Sequence, residues 1–148
     1  MGRYLVVAHR TLVGPDLLDH VRELAQKEPD VTFHLVVPVH HPRGAWSDGQ
    51  LQSAAKQRLD EGLATFADAG LEVTGEVGDA SPVYAVSTAL RNVDFDCEGI
   101  ILSTLPAHTS AWLRMDVKRR MQREFDLPII HVVAQRRRRR TAAAEPAA

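Results

Sequence analysis

The sequence has 148 residues and a formal net charge of −1, and 45% of its residues are apolar. That length suits a single domain with a buried core, and no apolar run approaches the roughly 18 residues of a membrane-spanning helix. The single cysteine, Cys97, excludes an internal disulfide. The apolar patch in residues 3–8 is too short for a signal peptide, so a reduced, cytoplasmic location is expected.

Five short runs of apolar and β-branched residues predict β-strands at intervals along the chain. They are RYLVVAH (3–9), VTFHLVVPV (31–39), LEVTGEV (71–77), GIILST (99–104) and PIIHVV (128–133). Between them, apolar residues recur at helical spacing, which predicts four helices. The first follows Gly14 and Pro15, the third begins near Asp79 or Ser81, and the fourth opens at Thr109 or Ser110.

The strict alternation of strands and helices predicts an α/β fold. We expect a five-stranded parallel sheet with helices on both faces, joined by right-handed crossovers, in one domain over residues 3–134. The first strand should lie near the centre of the sheet, and the fifth should end it.

Residues 135–148 have the composition of a disordered basic tail. Five arginines and one glutamate give residues 136–148 a charge of +4, which leaves −5 on residues 1–135. Two interpretations remain. The tail only keeps the chain soluble, or its positive charge binds a polyanion such as nucleic acid or the ribosome without sequence specificity. The candidate contacts are Arg136, Arg137, Arg138, Arg139 and Arg140.

Ligands of open α/β sheets bind at the carboxyl ends of the strands, which makes that edge of the sheet the first place to look. Four segments should meet there: His9–Thr11, Pro38–His41, Val77–Asp79 and Ser103–Ser110. The last is a strand–loop–helix transition, where free N–H groups and the helix dipole favour an anion. Hydroxyl groups and Arg114 could add donors to such an anion. The candidate anion-binding residues are His9, Thr11, Val39, Ser103, Thr104, Ser110 and Arg114.

With these elements in order, the chain resembles the universal stress protein family. The likeness rests on GDASPVYAV before the third helix, VDFDCEGIILSTLP around the fourth strand and DLPIIHVV at the fifth. It covers roughly residues 3–134. The resemblance implies the α/β fold and a homodimer, and for ATP-binding members an aspartate and a small hydroxyl residue after the first strand.

The chain departs from the ATP-binding pattern of that family at two places. His9 stands where the aspartate is expected, with Thr11 in the hydroxyl position. The ATP-binding members also carry a glycine-spaced phosphate loop after the fourth strand. The matching region here, residues 103–117, holds no glycine, since Gly99 is the last one in the chain. Bulky side chains keep the backbone from wrapping a chain of phosphates. The expected member is therefore divergent, has no required cofactor, and binds a nucleotide or phosphate weakly.

Other residue patterns have ordinary interpretations beside the functional ones. Ser103 and Thr104 could simply bond their own backbone at a strand end, and the basic side of the fourth helix could be a solvated face. No recognised ligand spacing links the histidines, so no metal site is predicted. No nucleophile with a matching base is found, and the acidic turn before Cys97 should raise its pKa.

The expected function is a non-enzymatic, cytoplasmic stress-response or regulatory protein that forms a homodimer. Two alternatives stay open: a sensor for ATP, AMP or a cyclic nucleotide, and a protein associated with nucleic acid or the ribosome through its arginine tail. A slow nucleotide hydrolase would need residues that bind a metal ion and the phosphates, and no such motif is found in the sequence. No membrane partner is expected.

Overall fold

The computed structural model describes residues 2–9, 11–40, 44, 46–92, 97–106 and 116–134. Strands and helices alternate through these residues, as the sequence predicts. The strands are β1 (Arg3–Val7), β2 (Thr32–Pro38), β3 (Glu72–Gly78), β4 (Gly99–Thr104) and β5 (Ile129–Val133). The helices are α1 (Pro15–Lys27), α2 (Asp48–Asp68), α3 (Pro82–Asn92) and α4 (Val117–Glu124).

All five strands form one parallel sheet in the order β3-β2-β1-β4-β5. The prediction of a central first strand is confirmed, and β5 lies at an edge. Strand order reverses between β2 and β4, on either side of β1, so the carboxyl ends of β1 and β4 diverge there into separate loops. This is the position at which open α/β sheets hold ligands.

The two faces of the sheet bury separate apolar clusters. One cluster packs α1 and α2 against alternate residues of the strands, among them Val6, Phe33 and Ile101. The other packs α3 and α4 against the intervening residues, among them Leu5, Val36 and Ile100. Because successive side chains of a strand point to opposite faces, strands covered on both sides must be apolar almost throughout. The burial of β4 from end to end fits this rule.

Helix starts follow local capping chemistry. Ser47 and Gln50 form a reciprocal capping box at α2, which satisfies two backbone N–H groups that would otherwise lack partners. At α3, Asp79 accepts from the Ser81 N–H at 2.9 Å, and the Ser81 hydroxyl accepts from the Tyr84 N–H at 3.3 Å. Both residues predicted to begin the third helix therefore take part in its cap.

The predicted start of the fourth helix at Thr109 or Ser110 is wrong for the helix that packs on the sheet. That helix, α4, begins at Val117 with Asp116 as its N-cap. Asp116 has φ 59° and ψ 38°, a left-handed conformation that is not part of a right-handed helix. Leu113 shares the apolar spacing of Val117 and Met121. Periodicity alone therefore predicted one continuous helix that begins before Asp116. Residues 107–115 lie outside the described residues.

The tail and its five arginines also lie outside the described residues, so its predicted disorder stays a prediction. Among the residues that are described, no helix is long and apolar enough to cross a membrane.

Candidate functional site

A pair of buried hydroxyl groups joins the ends of β1 and β4. Thr11 and Ser103 are 92 residues apart in the sequence, yet the Thr11 Oγ1 and Ser103 Oγ atoms lie 2.5 Å apart. Their side chains are only 7% and 2% exposed. The contact forms because β1 and β4 are neighbouring parallel strands, which bring their carboxyl ends together.

This hydroxyl pair borders a cleft of about 190 Å³ at the carboxyl edge of the sheet. The turn before α1 closes one side, where the Gly14 N–H donates to the Thr11 carbonyl at 3.0 Å. The lining combines two hydroxyl residues and one acidic residue with mostly apolar residues. The residues are Thr11, Gly14, Pro15, Asp16, Leu17, Ser103, Leu105 and Ala134. None of these described lining residues is cationic. The cleft therefore offers hydroxyl groups and shape to a ligand more than charge.

Ser103 and Thr104 face opposite sides of the sheet. Ser103 follows Ile101 on the α1 side, whereas Thr104 follows Leu102 on the α3 and α4 side. The Thr104 Oγ1 atom lies 2.9 Å from His131 Nε2 on β5, and Thr104 is 2% exposed. Of the two adjacent hydroxyls, only Ser103 reaches the cleft.

His131 sits in a partly buried environment beside that hydroxyl. Burial lowers its pKa from the ordinary value of 6.5, and the neighbouring Lys118 ammonium lowers the pKa further. The neutral imidazole is therefore favoured in the folded chain. Sequence reasoning placed His131 in a strand but missed this contact, which the alternation of β4 and β5 side chains could have suggested.

Two further predicted site residues, His9 and Val39, are not among the described residues that line the cleft. His9 follows β1, and its ring centroid is 5.2 Å from that of His40, which follows β2. Val39 is 8% exposed, packs in the α1 and α2 cluster, and donates its N–H to the Gly78 carbonyl at 3.1 Å. Ser110 and Arg114 lie outside the described residues, so their part in anion binding stays a prediction.

Cys97 does not have the environment of a reactive thiolate. Burial raises its pKa, with a smaller contribution from the Glu98 carboxylate, although bonds with the Gly99 and Leu5 backbone oppose the shift. Its Sγ atom donates to the Gly99 carbonyl at 3.2 Å. The direction agrees with the sequence prediction, but burial is the main cause.

Comparison with solved structures places this fold among universal stress proteins. The chain is 16% identical to a protein of the universal stress protein family from Burkholderia pseudomallei, with a TM-score of 0.62 over 90% of this chain and 96% of that one. A universal stress protein from Archaeoglobus fulgidus, solved in complex with dAMP, is 19% identical with a TM-score of 0.59, over 89% and 97% of the two chains.

A third structure, a universal stress protein in complex with cAMP, is 13% identical with a TM-score of 0.56, over 88% and 96% of the two chains. No family model matches the sequence, and no curated protein matches it. At these identities the likeness establishes the fold, and the expected universal-stress-protein architecture is confirmed.

Proposed function

We propose that this chain is a non-enzymatic regulatory protein of the stress-response type that binds a small phosphate-bearing ligand at the carboxyl edge of its sheet. The nucleoside monophosphates are the ligand class that the observations favour. The fold is that of universal stress proteins, and two similar structures were solved with dAMP and with cAMP.

The observation that carries the proposal is the Thr11–Ser103 hydroxyl pair on the cleft. Two hydroxyls share two protons, and their mutual bond uses only one of them. The second proton and the remaining lone pairs can bond a ligand without exposing the pair to bulk water.

The size and charge of the cleft favour a ligand with one phosphate over a ligand with three. A volume of about 190 Å³ is below the roughly 300–1,000 Å³ of sites that enclose a drug-sized molecule, so only part of a nucleotide can enter. Asp16 adds a negative charge to the wall, and this charge opposes a polyphosphate more than a single phosphate. We expect weak binding, micromolar or poorer.

Calorimetry with AMP, dAMP, cAMP and ATP tests the ligand class. The monophosphates should bind at least as well as ATP, and Thr11→Val and Ser103→Ala should each weaken binding about fivefold, the worth of one hydrogen bond. Thr11→Ser keeps the hydroxyl and should bind like the wild type. Ser53→Ala removes an exposed hydroxyl from α2 and serves as the matched control. Tight ATP binding would contradict the proposal, as would an affinity that is unchanged in both Thr11→Val and Ser103→Ala.

The non-enzymatic part of the proposal has its own test. Phosphoryl transfer needs a lysine or arginine that holds the phosphates and stabilises the charge of the transition state, and none of the described residues that line the cleft is cationic. The purified chain should release no phosphate from ATP above background with magnesium present. Stoichiometric, metal-dependent turnover that survives a second purification would overturn it.

A further inference from the structure

We propose that His9 and His40 form a two-imidazole site for a divalent first-row transition-metal ion, with water completing its coordination. The pair lies at the carboxyl edge of the sheet and is separate from the Thr11–Ser103 cleft lining. This inference is independent of the proposed ligand.

The sheet register brings the two histidines to the same side. Val7 of β1 pairs with Val36 of β2. His9 comes two residues after Val7, and His40 comes four residues after Val36, so each histidine is an even number of residues from a paired position. Val7 and Val36 both belong to the cluster on the α3 and α4 side. Both histidines lie two residues beyond the end of their strand, and the contact between their rings shows that both imidazoles lie on the same side there.

The spacing of the rings suits two ligands of one metal ion. A metal–nitrogen bond of about 2.0–2.1 Å puts the ion roughly 3.2 Å from each ring centroid, and two such vectors at a tetrahedral angle span about 5.2 Å. The observed separation of the centroids is 5.2 Å, with the ring planes tilted by 43°. The observed separation therefore equals the separation expected for two imidazoles that bind one tetrahedral ion.

Ligand chemistry narrows the metal to ions that prefer nitrogen. Imidazole suits Zn²⁺, Cu²⁺ and Ni²⁺, and affinity generally rises toward Cu²⁺ along the first row. In each ring one nitrogen would bind the ion, and a hydrogen bond to the other nitrogen would fix the orientation of the ring. Within the described part of the chain, no group of three or more His, Cys, Asp or Glu side chains could hold a metal. Two protein ligands predict moderate affinity.

The test is a ZnCl₂ titration by calorimetry on the full chain without a histidine tag, at about pH 8, where free imidazole is neutral. The wild type should bind one ion, and His9→Gln and His40→Gln should each lower the affinity at least about tenfold. His20→Gln, on α1, is the matched control and should bind like the wild type. Unchanged binding in His9→Gln and His40→Gln overturns the proposal, as does an equal loss in His20→Gln.

A second measurement applies to the wild type alone, in case a variant does not fold. Electron paramagnetic resonance of the chain with one equivalent of Cu²⁺ should show hyperfine coupling to two imidazole nitrogens. Nickel-induced broadening of the histidine ring signals in NMR should affect His9 and His40 before His20. Coupling to fewer than two nitrogens, or broadening that spares either of the pair, overturns the site.

Discussion

Two adjacent hydroxyl residues, Ser103 and Thr104, have different roles because they occupy consecutive positions of a strand. Ser103 bonds Thr11 and borders the cleft on one face, while Thr104 bonds His131 on the other. Substitutions at these two positions should therefore have different effects. Ser103→Ala should weaken ligand binding, whereas Thr104→Ala should weaken the packing of β5.

The contact of His131 predicts a pH dependence of stability. Burial and Lys118 lower the pKa of His131 in the folded chain, so the unfolded chain binds the proton more readily. Stability from this group is complete above the ordinary value of 6.5 and is lost as the pH falls through the lowered folded value. Urea unfolding between pH 8 and pH 5 should show a steeper loss in the wild type than in His131→Gln. Parallel curves for the two proteins would contradict the assignment.

At the scale of elements, α2 holds the loop that carries the site. Leu12, next to Thr11, is fully buried, and it lies against Gly62 in the middle of α2. A Cβ atom at position 62 would meet Leu12 Cδ2 and would come within 2.7 Å of Leu12 Cγ and 3.3 Å of Leu35 Cδ1. Glycine is thus required here for close approach, although it is a poor helix former.

Gly62→Ala should destabilise the chain despite the gain in helix propensity. Overpacking costs about 1–3 kcal/mol, against a gain of about 1 kcal/mol from replacing a helical glycine. Gly49→Ala, in the first turn of the same helix, meets only Ser47 Oγ at 3.9 Å and should leave stability equal or higher. Chemical denaturation of both variants measures the difference. A Gly62→Ala chain as stable as Gly49→Ala would show that Leu12 moves aside without cost.

At the scale of the whole molecule, β5 is a largely apolar strand that forms one edge of the sheet. All five residues of β5 are partly exposed, and four of them are isoleucine or valine. An apolar edge strand favours pairing with another chain. We therefore predict a homodimer, and sedimentation at tens of micromolar should give twice the chain mass. A pure monomer under those conditions would contradict it.

The charge asymmetry of the chain predicts a second behaviour at this scale. The arginines at 136–140 should bind single-stranded DNA without sequence preference. For five charges, the logarithm of the affinity should fall with the logarithm of the salt concentration with a slope of about −3.5. Replacing all five by glutamine keeps the tail length and should abolish the binding. DNA binding that persists in this variant would instead implicate the exposed basic residues of α4, Arg119, Arg120 and Arg123.

The sequence by itself determined the fold class, the five strands and the central position of β1. It could do so because continuous apolar runs, helical spacing and strict alternation are local patterns with few three-dimensional solutions. It also placed several candidate residues at the carboxyl edge of the sheet, where the structure brings Thr11 and Ser103 together. The start of α4 was not predicted, because the left-handed residue before it is Asp116 and not the glycine that usually marks such a conformation in a sequence.

Only the tertiary structure decided which residues meet at that edge. Thr11 with Ser103, Thr104 with His131, and His9 with His40 join residues far apart in the chain. These contacts depend on which strands are neighbours and on their register, and a shift of one residue turns every side chain to the opposite face. Composition and spacing describe each strand separately. The pairing between strands is settled by packing across the whole sheet, so the chemistry of the site follows from the assembled fold.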